Sequence, residues 1–297
     1  MVSLRYRRLN QRLSDASVKW DTQNSQALQL DPGTGYGPRL LAPLLPVLRE
    51  VVKDPAQRKL VEQLASWKGD YPLDSTSATL FNQFLFNLAD AAMRDELGND
   101  FFETLLSTRV IDAALPRQAA TPDSPWWDNR NTLGKETRAD TVKAAWQASI
   151  AHLKATLGAD FSQWQWGKAH TLTHGHPLGQ QKPLDRIFNV GPFAAPGTHE
   201  VPNNLSAKIG PAPWPVTYGP STRRLIDFAD PAHRKAVNWA IDRPALIRVG
   251  GKLAGARPGR RVEHRAGKAL DARDIGEMGD VEDTDARNHD VAAPRFT

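Results

Sequence analysis

From Leu4 to about Leu157 apolar residues recur at three- and four-residue steps, and after Gly158 they do not. This change of period constrains the fold more than any other feature. A succession of amphipathic helices requires a shared apolar core, so the first half is a helical body. The second half is built on a different plan.

The strongest helix is predicted over Ser75–Leu97, where Leu80, Phe84, Leu88, Ala91 and Ala92 share a face. Phe81, Leu85 and Phe86 widen that face, so burial on more than one side is expected. The run from Leu40 to Val52 has helical spacing, but Pro43 and Pro46 predict a kink. Asp54 and Pro55 read as the cap and first turn of a helix reaching Trp67, ended by Lys68-Gly69-Asp70. Gly98-Asn99-Asp100 reads as a stop and a new cap, followed by a helix over Phe101–Leu115 that ends at Pro116. Trp126-Trp127 reads as a packing pair in a loop. Thr137–Leu157 is a further helix, closed by Gly158. Leu9 and Leu13, with Arg5 and Arg12, mark a short amphipathic start.

Beyond Gly158, Trp164, Trp166, Gly167 and the alternation from Ala169 to His176 predict strand, as do Phe188–Ala194 and Arg223–Phe228. The expected class is α+β: residues 1–158 mainly helical, 159–233 strands and loops, 234–297 a divergent tail. Arg248–Arg273 carries eight basic and two acidic residues, and Asp274–Asp290 seven acidic and one basic. That pattern reads as a self-compensating, solvated segment, disordered from Gly250 onward. The abrupt shift in composition looks like translation in another reading frame.

Composition excludes several classes. The chain has no cysteine, hence no disulfide, thiolate nucleophile or Cys-ligated zinc. No run of eighteen apolar residues exists, so no membrane partner is expected. The net charge is only +5, and no aromatic residue interleaves the basic block, so no nucleic-acid partner is expected.

The motifs yield one candidate constellation. His170, His174 and His176 fall on one face of a strand and could ligate zinc with an open position, which would make the chain a zinc hydrolase. No carboxylate lies nearby to complete it, and hydrogen-bonding histidines are the plainer reading. Gly33, Gly35 and Gly37 lack the Lys and Ser/Thr of a phosphate loop, and no Gly-x-Ser-x-Gly elbow occurs. Asp227 and Asp230 read as turn caps.

Four ordered stretches resemble the penicillin acylase family of N-terminal-nucleophile hydrolases, in the C-terminal part of its β chain. They are Leu64–Asp70 with Asp74–Phe81; Trp166–His170 with His176-Pro177-Leu178; Gly191-Pro192-Phe193, Pro196-Gly197 and Val201-Pro202-Asn203; and Tyr218–Arg224 with Asp227 and Asp230-Pro231. The resemblance implies part of an αββα sandwich and hydrolysis of a linear amide in penicillins, cephalosporin precursors or acyl-homoserine lactones. It also implies a serine at a β-chain N-terminus with its own α-amine as base, and an oxyanion hole of backbone N–H groups and an Asn amide.

The family's nucleophile, oxyanion Asn and calcium ligands lie upstream of the matched region, and Met1-Val2-Ser3 supplies no substitute. The expectation is therefore a truncated chain, inactive alone, with no cofactor or metal of its own. Its partner would be the missing N-terminal half or α chain. Alternatively it is a non-catalytic chain that assembles with a separate nucleophile-bearing fragment. Arg5, four residues before a Leu expected to begin a helix, is the one position that fits a family active-site residue. The family is mostly periplasmic, but the Arg-rich start carries no export signal, so the chain would stay cytoplasmic if translated as given. Strands separated from the rest of the sandwich are expected to lack partners.

Overall fold

A computed structural model describes residues 3–220, together with Arg223 and Leu225. Ten helices and three strands follow in order: α1 Leu4–Leu13, α2 Thr22–Gln29, α3 Tyr36–Leu41, α4 Leu45–Val51, α5 Pro55–Ser66, α6 Thr76–Leu106, α7 Ile111–Ala119, α8 Arg138–Leu157, α9 Trp166–Ala169, β1 His170–His174, α10 Asp185–Phe188, β2 Val190–Ala194 and β3 Trp214–Pro215. Helices thus precede a small sheet, as the change of period predicts. The strand expected over Arg223–Phe228, the caps at Asp227 and Asp230 and the tail lie outside the described residues, apart from Arg223 and Leu225.

Helix α6 is the spine. Ser75 Oγ accepts from the Ala78 N–H and caps it. Leu80, Phe81, Phe84, Leu85, Leu88, Ala89 and Ala92 are all buried, so apolar neighbours surround more than one face. The longest packing seam runs along α8, whose Thr137–Asp140 capping box opens it and whose Gly158, at φ 95°, closes it. Trp127 fills the core beneath α6 and donates Nε1–H to Thr121 O at 2.8 Å. Pro43 falls in the break between α3 and α4, and Pro46 lies in the first turn of α4, so the kinked run becomes two short helices.

Three local expectations are corrected. Gly98, at φ 70° and ψ 168°, interrupts α6 as expected, but the helix that follows does not run on to Leu115; it breaks at 107–110. Pro116 therefore does not end a helix; it sits inside α7. Proline cannot donate to the Asp112 carbonyl one turn back, and Arg39 Nη2 takes that acceptor instead, at 3.4 Å. Second, Trp164–Gly167 is not strand. Asp160 caps a 3-10 turn over Phe161–Gln163, and α9 follows, which buries both tryptophans without a ladder. Third, the strands do find partners. The order is β2-β1-β3, with β1 antiparallel to β2 and parallel to β3.

The sheet is joined to the helical body through Trp166. Its ring lies 4.5 Å from that of His170, 5.0 Å from Tyr71 and 5.2 Å from Trp214. Its Nε1–H donates to Gly197 O at 2.9 Å, and its backbone N–H to Ser75 O at 3.1 Å. Gly167 follows because a Cβ there would press on Ala194 Cβ and the Leu73 side chain, at 3.0–3.2 Å.

Candidate functional site

Polar side chains gather where α1, the loop at 31–34, the N-terminus of α7 and the segment 198–206 meet. Asp31 is the anchor. Its side chain is almost fully buried, and its carboxylate accepts from Arg8 Nε and Nη2 at 2.9 and 3.0 Å, Arg12 Nε at 2.8 Å and the Gly33 N–H at 2.8 Å. Burial works to raise the carboxyl's pKa, but the hydrogen bonds from Arg8, Arg12 and Gly33 outweigh it and hold it below the usual carboxylate range. The Asp31 carbonyl also accepts from the Asn203 N–H at 2.9 Å, so one residue ties α1 to 198–206.

Arg5, Arg8 and Arg12 share one helical face, at steps of three and four. Asp31 holds Arg8 and Arg12, and Arg7 is exposed. Arg5 is left to reach across to 198–206. The residue sits in the first turn of α1, which begins at Leu4 behind the cap Ser3, so Leu9 is mid-helix rather than the start expected for it. Arg5 Nη2 lies 3.9 Å from Glu200 Oε1. With the Asn204 amide oriented to satisfy both ends, its oxygen accepts from Arg5 Nη2 at 2.6 Å, and its nitrogen donates to Ser206 Oγ at 2.6 Å and Thr198 O at 3.3 Å.

Glu200 has a second cation. Arg109 Nη2 lies 3.2 Å from the same oxygen, and Arg109 Nη1 lies 3.9 Å from Asp112 Oδ2. His199 Nε2 meets Asp112 Oδ1 at 3.0 Å. Glu200 is also at φ 57°, a conformation costly for a residue with a Cβ. Tyr36 is buried close by; burial first, then the negative charge of Asp112, raises its hydroxyl pKa well above the ordinary value, so it stays protonated. The arrangement presents one partly exposed guanidinium whose Nη2 is held by Asn204 and Glu200.

The histidine trio does not come together. His170 is buried, with Nδ1 2.6 Å from Ala195 O and its ring stacked on Trp166. His174 is exposed, and His176 Nδ1 accepts from the Leu178 N–H at 3.2 Å. β1 ends at His174, so His176 lies beyond the strand as the cap of a 3-10 turn over Pro177–Gln180, and within β1 the burial runs out from His170 toward His174. Among the described residues no group of three or more His, Asp or Glu is placed to hold a metal ion. The zinc reading is thereby unsupported.

His170 makes a pH prediction. Burial lowers its pKa below 6.5, against the opposing hydrogen bond that the ring donates to Ala195 O. The unfolded chain therefore binds a proton near pH 6.5 that the folded chain still refuses. Stability is expected to fall as pH drops below that value, and to be level above it as far as this group is concerned. The slope of urea midpoint against pH between 6.5 and 5 should flatten in His170→Phe; an unchanged slope would assign it to other groups.

Asp31, Glu200 and Asn204 are not evident as site residues in the sequence. Arg8 and Arg12, at i and i+4, were a readable signal for one shared acceptor; nothing local marks Glu200.

The chain matches the penicillin amidase family over residues 2–240. It is 27% identical over 230 residues to the acyl-homoserine lactone acylase QuiP of Pseudomonas fluorescens strain Pf-5, covering 72% of this chain and 27% of that protein. The QuiP acylase of Pseudomonas syringae pv. tomato strain DC3000 is 27% identical over 236 residues, 72% of this chain and 28% of the relative. That of Pseudomonas aeruginosa PAO1 is 27% identical over 259 residues, 76% of this chain and 30% of the relative. The chain thus spans less than a third of the length of these relatives. Among the described residues no helix is long and apolar enough to cross a membrane.

Proposed function

The chain belongs to the penicillin amidase family, and from that premise we propose that it forms the C-terminal part of the β chain of an amide hydrolase that deacylates acyl-homoserine lactones. The reaction divides a linear amide: water adds at the acyl carbon, the carbon–nitrogen bond breaks, and a fatty acid and the free amine of homoserine lactone leave. Penicillin deacylation is the same chemistry on a different amine, and the acylase relatives favour the lactone. The sheet and helical body belong, on this reading, to an αββα sandwich completed by other parts of the enzyme.

The observation that carries the proposal is the placement of Arg5. Asp31 holds its neighbours Arg8 and Arg12, while Arg5 alone is presented at the junction of α1 with 198–206. We assign Arg5 to the reacting amide, where a fixed guanidinium stabilises charge developing on the carbonyl oxygen. The nucleophilic serine and the oxyanion-hole donors come from a polypeptide outside these residues. The histidines at 152, 170 and 199 contact two carbonyls and a carboxylate, an arrangement without a hydroxyl to activate.

The test is release of homoserine lactone, detected as a new primary amine. The purified chain alone is expected to show no saturable release. Assembled with a nucleophile-bearing polypeptide it should turn over, and Arg5→Ala should reduce kcat by about a hundredfold. Arg5→Lys should recover little, because a point charge does not reproduce a planar fork. Saturable turnover by the chain alone, or full turnover by assembled Arg5→Ala, would overturn this assignment.

A further inference from the structure

We infer that Glu200 and Asn204 are positioning residues for Arg5, a reading that rests on the role proposed for that arginine. Nη2 is gripped twice, by the Asn204 amide oxygen at 2.6 Å and by Glu200 at 3.9 Å. Each partner is itself restrained. Asn204 is buried, and its amide nitrogen is tied to Ser206 and Thr198. Glu200 is largely buried and shares its oxygen with Arg109, and Arg109 reaches on to Asp112, which His199 holds from the other side.

The backbone supports this. Glu200 takes a left-handed conformation that glycine would adopt at no steric cost, in a turn where no glycine stands. An ordinary surface loop would relax it. Such strain persists where the surroundings over-determine a side chain's direction. Here the direction carries a carboxylate between two arginines from different elements, Arg5 of α1 and Arg109 of the turn before α7. The fixed neighbours make the grip stiff. Asn203, between Glu200 and Asn204, donates its N–H to Asp31 O and accepts at Oδ1 from Arg223 Nη2 at 2.5 Å. Gly197 enters the segment at φ 82°, and a Cβ there would run into Asn203 O. The segment 198–206 is thereby clamped to the same Asp31 that orients α1, so Arg5 and its two acceptors are held in one frame.

The first experiment reads the guanidinium directly, in the full ¹⁵N-labelled chain. Arg5 should give separate, slowly averaging Nη–H signals, assigned by their loss in Arg5→Lys. Glu200→Ala and Asn204→Ala should each collapse or broaden them. Glu200→Gln, which keeps one acceptor, should restore them in part. The signals of Arg8, held by Asp31, should persist in every variant and certify that the fold is intact. The second experiment is turnover in the assembled enzyme, where Glu200→Ala and Asn204→Ala should lower kcat by about tenfold to a hundredfold with little change in KM, Glu200→Gln less. Arg5 signals that ignore both alanine variants overturn the inference, whatever Arg5 does in catalysis. Signals that respond while Arg5→Ala leaves turnover intact overturn the catalytic role of Arg5 and, with it, the use of this grip in the reaction.

Discussion

Trp166→Ala is expected to lower the unfolding free energy by about 3–5 kcal/mol, the range for deleting a fully buried aromatic side chain. Trp166 is the ring through which the sheet meets the helices. Its neighbours Tyr71, His170 and Trp214 come from three separate parts of the chain, and Tyr71 continues the contact to Trp67 at 5.3 Å and thence to Phe81 of α6 at 5.0 Å. Truncation leaves a cavity lined by rings that cannot collapse far, and it strands the Gly197 carbonyl. A domain stabilised by about 5–15 kcal/mol would lose a large fraction of its margin. Trp166→Phe separates the two terms. It keeps most of the packing and loses the Nε1–H bond, so it should cost roughly 1 kcal/mol for the bond plus part of the ring's burial. Urea unfolding followed by near-ultraviolet circular dichroism measures both. An alanine variant within 1 kcal/mol of the parent, a margin set against the cavity cost, would mean that the sheet docks on the helices without this ring.

The helical body was legible in the sequence because its rules are local. Phe81, Phe84, Leu88 and Ala92 recur with the helical period, and Ser75, Asp54 and Thr137 announce their helices within four residues. Asp54 makes the cap bond expected of it, and Ser75 and Thr137, where the other two helices were expected to begin, cap them. The errors came where a distant group changed a local rule. Pro116 breaks helices by leaving a carbonyl unpaired, and Arg39, from another helix, pairs it. Trp164 and Trp166 alternate like strand residues, yet their alternation serves a turn and a short helix that bury both rings against α6 and the sheet. Three histidines spaced for one strand face were separated because the strand stops at His174 and His176 caps the next turn, a boundary that period-2 reasoning does not fix.

The candidate site was legible only at its α1 end. Arg5 stands out only through family resemblance. Its acceptors sit near the far end of the described chain, in a segment with no period, no glycine at the strained position and no motif naming Glu200 or Asn204. What joins them to Arg5 is a chain of long-range hydrogen bonds through Asp31, Asn203 and Arg223. Such pairings carry no spacing signature, because the two partners are brought together by the core rather than by their own backbone.

Asp31→Ala should therefore disturb both stability and site, and it is expected to cost about 3–5 kcal/mol, the range for removing one partner of a buried ion pair. The loss comes less from the attraction removed than from the charge left behind. Arg8 has a side chain only 14% exposed, and without Asp31 its remaining carboxylate partner is Asp70, at 3.4 Å. Arg12 is 54% exposed and can turn to solvent, so it should add little. Arg8→Met in the Asp31→Ala background should accordingly recover part of the loss, since an apolar side chain needs no counterion there. A double variant worse than Asp31→Ala alone would show that Arg8 has other supports. Acid should mimic the substitution. The Asp31 carboxyl is held below its ordinary value of 3.8 in the folded chain, so its contribution is fully present above that pH and disappears as pH falls through the folded pKa. A pH series on Asp31→Ala should therefore show a shallower loss of stability below about pH 4 than the parent. In the assembled enzyme the same variant should weaken turnover, because α1 and 198–206 would no longer share the anchor that sets Arg5 against its acceptors. Loss of stability with unchanged kcat at low temperature would confine Asp31 to folding and free Arg5 from dependence on it.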